Sequence, residues 1–369
     1  MALIDFKVLP GIDKQDTTSG AENRWVDCDN TRFRYGLPEK VGGWSSLITD
    51  TIVGVARREF AFVDLDGNRY VAIGTDKFLL IYFEGQLYDI TPLKTTLTSA
   101  TIATTNTSAI CSITTGTNHD LSVGDIVLLD TVTLPVGTGY VDADFENKLF
   151  QVTSITSATV FTITQSTAAT ATVGTGGSLS VKPYEQVGPA VQSYGYGWGI
   201  DTWSSGAWGE AASASDVSLE PGLWSLSNFG QVLVATIANS KTFTWNAGDA
   251  ARLITRASTT TSGFETTNNP TATRVSLISP TTRHLIHLGT ETTIGDPTTQ
   301  DDMFIRFSDQ EDINDYVPTA INSAGSQRLQ DGTRIIGALK AKESILVWTD
   351  NALYTMKFIV HLLHLGLNK

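Results

Sequence analysis

The chain has 369 residues, Lys+Arg 25 against Asp+Glu 38, and a formal net charge of -13. Hydrophobic residues make up 41% and charged residues only 17%, low beside the roughly 25% charged of an average soluble domain, which excludes a disordered chain. The acidic balance argues against a protein that grips nucleic acid through a basic face, and Cys28 and Cys111 alone make neither a disulfide framework nor a four-ligand zinc site.

Met1 to Pro10 carries Asp5 and Lys7 and no long apolar run, so it does not read as a signal peptide. Two reduced, partly buried thiols in cytosol-like conditions are the expectation for the cysteines. Arg58 to Val63 and Arg69 to Ile73 flank Asp64-Leu65-Asp66-Gly67-Asn68. An Asp-Gly pair supplies the positive φ of a tight, two-residue hairpin turn, here at Gly67. Phe78 to Phe83 then turns at Glu84-Gly85-Gln86 into Leu87 to Ile90, which completes a four-stranded antiparallel meander.

Thr95 to Lys182 changes character, being dense in Thr, Ser, Ala and Gly. Alternation over Asp125–Leu129, Leu149–Val152 and Val160–Ile163 predicts a small half-buried sheet rather than a linker. The segment reads as a compact β-barrel-like insertion leaving the first meander. Next comes a stretch of large rings between glycines, with Tyr194, Tyr196, Trp198, Trp203 and Trp208. It is a candidate partner-binding loop, or else an ordered loop packed on its own domain.

The meander cadence returns three times, over Gly222–Asn246, Val275–Asp309 and Ile335–Met356. Repeated units of this size predict an all-β, β-propeller-like chain with the small β-barrel-like domain inserted, a β-sandwich being the alternative. Both alternating sets are apolar in Ile345-Leu346-Val347-Trp348, which predicts burial on two faces.

No constellation reads as catalytic. Gly195-x-Gly197 lacks the strand-to-helix setting of a dinucleotide site, and the Asp64 loop has Thr75 where a calcium loop needs Glu. His284 and His287 lie three apart in a strand and point to opposite faces, while His361 and His364 have no third ligand nearby. The acidic run Asp309-Gln310-Glu311-Asp312 with Asp315 invites a glycosidase or calcium reading, but nothing shows two carboxylates across a cleft. No catalytic, metal or cofactor residue is assigned.

Two segments carry a family resemblance. The first holds Pro10-Gly11-Ile12, Arg24-Trp25-Val26-Asp27, Arg32 to Lys40 and Gly42-Gly43-Trp44. The second holds Arg306 to Glu311, Tyr316, Pro318-Thr319, Asn322 to Ser326, Ile345 to Asp350 and Leu353-Tyr354. Together they resemble the tail nozzle, tail tubular or DNA-stabilisation proteins of short-tailed bacteriophages. The resemblance implies a non-enzymatic virion tail subunit, assembled in the host cytoplasm as a six-fold homo-oligomeric ring below the head-tail adaptor. Its partners would be the adaptor, other tail proteins and DNA in transit through a channel without tight binding, with the host surface a further candidate. A receptor- or glycan-binding tail protein is the alternative, and a polysaccharide hydrolase a third. Nine of the thirteen net negative charges fall between Leu97 and Ala251, as expected of a conduit that should not hold its cargo.

The expected organisation is an N-terminal arm over 1–50, a first blade over 51–94 and the insertion over 95–182. The ring-rich loop follows over 183–215, further blades over 216–359 and an atypical tail over 360–369. Family members continue beyond the Trp348 strand, so this ending reads as C-terminally truncated. The tail, with Leu362, Leu363, Leu365 and Leu367 and little charge, is expected to supply no blade strand, which leaves four meanders in an open arc.

Overall fold

The computed structural model describes residues 8–43, 45–46, 48–192, 220–259, 269–359 and 364–368. It is an all-β protein whose chain divides into two units, Met1–Thr49 and Asp50–Lys369. The smaller unit holds one hairpin of β1 (Thr31–Arg34) and β2 (Leu37–Lys40). Tyr35 and Gly36 turn it with φ of 51° and 82°, both positive as a type I′ turn demands. Arg32 pairs with Glu39 across the strands at 3.1 Å.

The larger unit has four antiparallel sheets, each built from strands consecutive in the chain, and one closed barrel. The first sheet is β3 (Ala56–Val63), β4 (Arg69–Thr75), β5 (Leu79–Phe83) and β6 (Gln86–Asp89). Gly67 has φ 87°, and the β3–β4 loop is three residues long, Leu65-Asp66-Gly67, rather than two. Asp64 N–H donates to the Asn68 carbonyl at 3.1 Å and Gly67 N–H to the Asp64 carbonyl at 3.3 Å, the pattern of a turn closed by a glycine bulge. The Asp64 carboxylate accepts from Asp66 N–H, Asn68 N–H, the Asn68 amide and the Tyr70 hydroxyl. Those bonds fold a turn with the oxygens a calcium ion would need.

The barrel comprises β7 (Leu97–Thr104), β8 (Ile110–Thr114), β9 (Ile126–Thr133), β10 (Lys148–Ser157), β11 (Val160–Thr164) and β12 (Val173–Pro183). It closes in the order β10-β11-β8-β7-β12-β9. One face of each strand fills its interior, where Ile102, Ile113, Leu129, Phe145, Phe161 and Val181 are fully buried. The two chains of its neck pair with each other: Leu93 bridges Tyr184, and Lys94 N–H donates to the Pro183 carbonyl at 2.8 Å.

The second sheet has three strands among the described residues, β13 (Trp224–Phe229), β14 (Val232–Ile237) and β15 (Thr242–Asn246), with Ser258 bridged to Thr244 at its edge. The third is β16 (Thr273–Ile278), β17 (Leu285–Thr290), β18 (Phe304–Phe307) and β19 (Gly325–Arg328). The fourth is β20 (Ile335–Lys340), β21 (Ile345–Thr349), β22 (Leu353–Ile359) and β23 (His364–Asn368). Three apolar cores join them in sequence. Tyr70, Leu79 and Ile81 meet Leu226, Leu233 and Trp245 between the first and second sheets. Val234 meets Ile278, Leu285 and Tyr316 between the second and third, and Ile286, Leu288 and Ile305 meet Ile345, Val347 and Met356 between the third and fourth. This is a β-propeller-like stack of blades with a barrel inserted after the first.

Two expectations are corrected. The Ile345 strand is buried on one face, not two: Ile345 and Val347 are buried, Leu346 is half-buried and Trp348 exposed. Leu346 and Trp348 belong to the outward face of the fourth sheet, against which no core cluster packs among the described residues. The tail, second, does supply a strand, since β23 pairs antiparallel with β22 from Ile359↔His364 to Thr355↔Asn368. Leu365 and Leu367 alternate along it, and backbone hydrogen bonds hold such an outermost strand whatever the charge of the run that leads into it.

Candidate functional site

The first strands of the four sheets, β3, β13, β16 and β20, line one cavity of about 950 Å³. Its wall carries five cationic side chains, Arg57, Arg58, Arg274, Arg334 and Lys340, against the carboxylates of Glu220 and Asp302. A positive lining in a chain of net charge -13 is set by the strands rather than by composition.

Three of these cations are matched. The Arg57 guanidinium donates to the carbonyls of Pro189, Ala190 and Gly222. Arg274 pairs with Glu220 and, at 3.4 Å, with Asp302; Arg334 reaches the other Glu220 oxygen at 2.6 Å. Burial works against the ionised Glu220 carboxyl, yet the two arginines hold its pKa below the usual carboxylate value. Arg58 and Lys340 have no hydrogen-bond or ion-pair partner among the described residues. Burial, and then the Arg58 charge, push the Lys340 ammonium pKa down. β-Bulges interrupt the β3 register between Ala56 and Arg58 and the β20 register between Ile335 and Gly337. Bulges re-aim side chains.

At the neck of the barrel, the Tyr184 hydroxyl donates to Asp89 Oδ2 at 2.6 Å and accepts from Arg256 at 2.7 Å. Arg256 also reaches Asp89 at 3.0 Å and stacks over the Tyr184 ring at 4.8 Å. This clamp fixes the barrel exit to the end of the first sheet and to the segment after the second.

The acidic run forms an ordered loop. Asp309 accepts from the Ser323 hydroxyl at 2.6 Å and backbone N–H at 2.8 Å, Asp315 from the Asn322 amide, and Glu311 pairs with Arg283. The Ser323 oxygen also lies 2.9 Å from His284 Nε2. In a nucleophilic triad the hydroxyl passes its proton to histidine and the carboxylate holds the opposite ring nitrogen. Here the Ser323 proton goes to Asp309, and Thr282 stands 2.6 Å from His284 Nδ1. The buried His287 contacts Thr273 and Tyr316 instead, so the two histidines share no partner. No group of three potential metal ligands occurs among the described residues.

The candidate ring loop, Tyr194, Tyr196, Trp198, Trp203 and Trp208, lies outside the described residues. Several acids of the middle stretch cap loops: Glu146 accepts from Val132 N–H, Asp142 from Leu134 N–H and Asp144 from Val141 N–H. The cationic cavity was not signalled by any local motif, its residues being spread from Arg57 to Lys340. The signal that could have found it is positional, since Arg57, Arg58, Arg274 and Lys340 all fall in the first strand of a meander and Arg334 immediately precedes one.

No family model matches the chain, and no curated protein matches it. Among solved structures the chain is similar to a phage phi92 endosialidase, at 13% identity and a TM-score of 0.25, over 80% of this chain and 44% of that one. The chain thus spans less than half the length of that protein, and at that TM-score the likeness carries no argument about function.

Proposed function

We propose that the chain is a non-enzymatic structural subunit of a short-tailed bacteriophage tail, of the nozzle or tail-tubular kind, which works by assembling into a ring around the path of ejected DNA. The observation that carries the reading is the order of parts: one blade, an inserted closed barrel, then three further blades. The resemblance carried by the motifs around Arg32–Lys40 and Arg306–Glu311 implies a β-propeller ring subunit, with small β-domains like this insertion outside the propeller. Association is further favoured by the outward face of the fourth sheet, where the paired Trp348 and Leu353 are 37% and 45% exposed. Apolar surface of this kind marks a contact with another chain.

Sedimentation of the full chain over a concentration series, with images of the heavy species, tests the reading. Rings of one stoichiometry, six-fold in the proposed arrangement, are expected. A monomer at every concentration, or release of reducing sugar from a surface polysaccharide, would overturn it.

A further inference from the structure

We propose that Arg58 and Lys340 form an oxyanion-binding site on the wall of the cavity lined by the first strands of the four sheets, with a phosphate-type group as its ligand. The site does not depend on the tail reading.

The argument is one of unequal compensation. Every other cation of the cavity is matched by a carboxylate or by carbonyl oxygens, whereas this pair is not. The two side chains come from opposite ends of the blade series, β3 and β20, and each strand carries a bulge within its first three residues. A regular strand sends successive side chains to opposite faces. The bulge in β3 lets neighbouring Arg57 and Arg58 both line the cavity, and Arg57 alone is absorbed by carbonyls. Lys340 is half-buried and Arg58 exposed, and like charges on the wall of one cavity repel, a cost that an anion between them removes. A guanidinium offers a planar fork and an ammonium three rotatable donors, a combination suited to the several oxygens of a phosphate or sulfate. The cavity, at about 950 Å³, has room for such an anion with its water.

The test is calorimetric titration of the full chain with inorganic phosphate at low ionic strength, beside Arg58→Gln, Lys340→Gln and the surface control Lys357→Gln. Single-site, saturable binding is expected, weakened at least about tenfold by either cavity substitution and unchanged by the control. A second arm repeats the titration with saturating duplex DNA present. Phosphate binding that persists identifies a free small anion as the ligand, and phosphate binding that is lost identifies a nucleic-acid phosphate at the same pair. Thermal melts guard against misfolding: both variants should melt no lower than the parent and lose the rise in Tm that phosphate gives it. No saturable binding, or binding unaltered in both variants, would overturn the proposal.

Discussion

Trp224 lays its indole against the bare Cα of Gly74, and the same ring donates Nε1–H to the Thr75 carbonyl at 2.9 Å. The contact ties the first strand of the second sheet to the last two residues of β4, across the whole length of the inserted barrel in sequence. A Cβ at position 74 would stand 2.6 Å from Trp224 Cδ1, which no side chain tolerates. Gly74→Ala is therefore expected to cost about 1–3 kcal/mol, as overpacking does, in a reversible urea melt. A neutral result would show that the two sheets slide apart freely.

The neck clamp gives a second expectation. Tyr184→Phe leaves the Asp89 and Arg256 groups without their shared hydroxyl, and should cost about 1–3 kcal/mol. The barrel interior shares no residue with the clamp, so methyl signals of Ile113 and Val181 should not move. Their displacement would show that the clamp shapes the barrel itself.

The one-sided burial of β21 predicts an alternating response. Ile345→Ala, on the face packed against the third sheet, is expected to lose about 2–5 kcal/mol. Leu346→Ala, on the half-exposed opposite face, should lose less than half as much. Equal losses would mean that the outward face is covered in solution.

Stability should fall at both ends of the pH scale, for different reasons. Burial, and then the Arg306 charge, push the His287 pKa down to about 3. The unfolded chain therefore takes up a proton below about pH 6.5 that the folded chain refuses. Between pH 7.5 and 5 this single group removes about 2 kcal/mol. At the alkaline end, burial raises the Tyr184 and Tyr316 phenols and pushes Tyr140 up to about 12. Unfolded phenols ionise from about pH 10, so stability falls beyond that value as pH rises toward the folded pKa. Urea melts at pH 5, 7.5 and 10.5 check both limbs, and equal midpoints would contradict them.

How much of this was readable in the sequence depended on how each strand is held. The hairpins at Asp66-Gly67 and Glu84-Gly85 were plain, because positive φ at a turn selects its residues: Glu84 and Gly85 adopt 48° and 88°. The barrel was visible where Val, Ile and Phe alternate with Thr. Its strands β7 and β12 were harder, since Thr, Ser and Gly fill their outward positions and bulges break the β12 register. Edge strands were hardest. β19 is Gly-Ser-Gln-Arg, mostly exposed, and no apolar period announces it; β23 was expected to lie outside the sheet because its leucine-rich run carries little charge and no turn residue before Gly366. The cavity cations needed the topology first, because only the assembled blades bring Arg58 and Lys340 to one wall.

A closed barrel with its own core predicts that residues 92–185, cut out of the chain, fold alone. Circular dichroism should show a cooperative β melt, and a fragment that stays unfolded would place the barrel's stability in its neighbours.

The paired neck has an architectural meaning of its own. Lys94 and Pro183 lie side by side as adjacent strands do, about 5 Å apart in the hydrogen-bonding direction. To the first blade, the 88 residues between them are therefore topologically no more than a wide hairpin loop. A short turn could replace them, or another barrel could be spliced in, without changing the path of any blade strand. The blades form a chassis and the barrel an exchangeable cassette, so the barrel can be renewed while the part that stacks is left untouched.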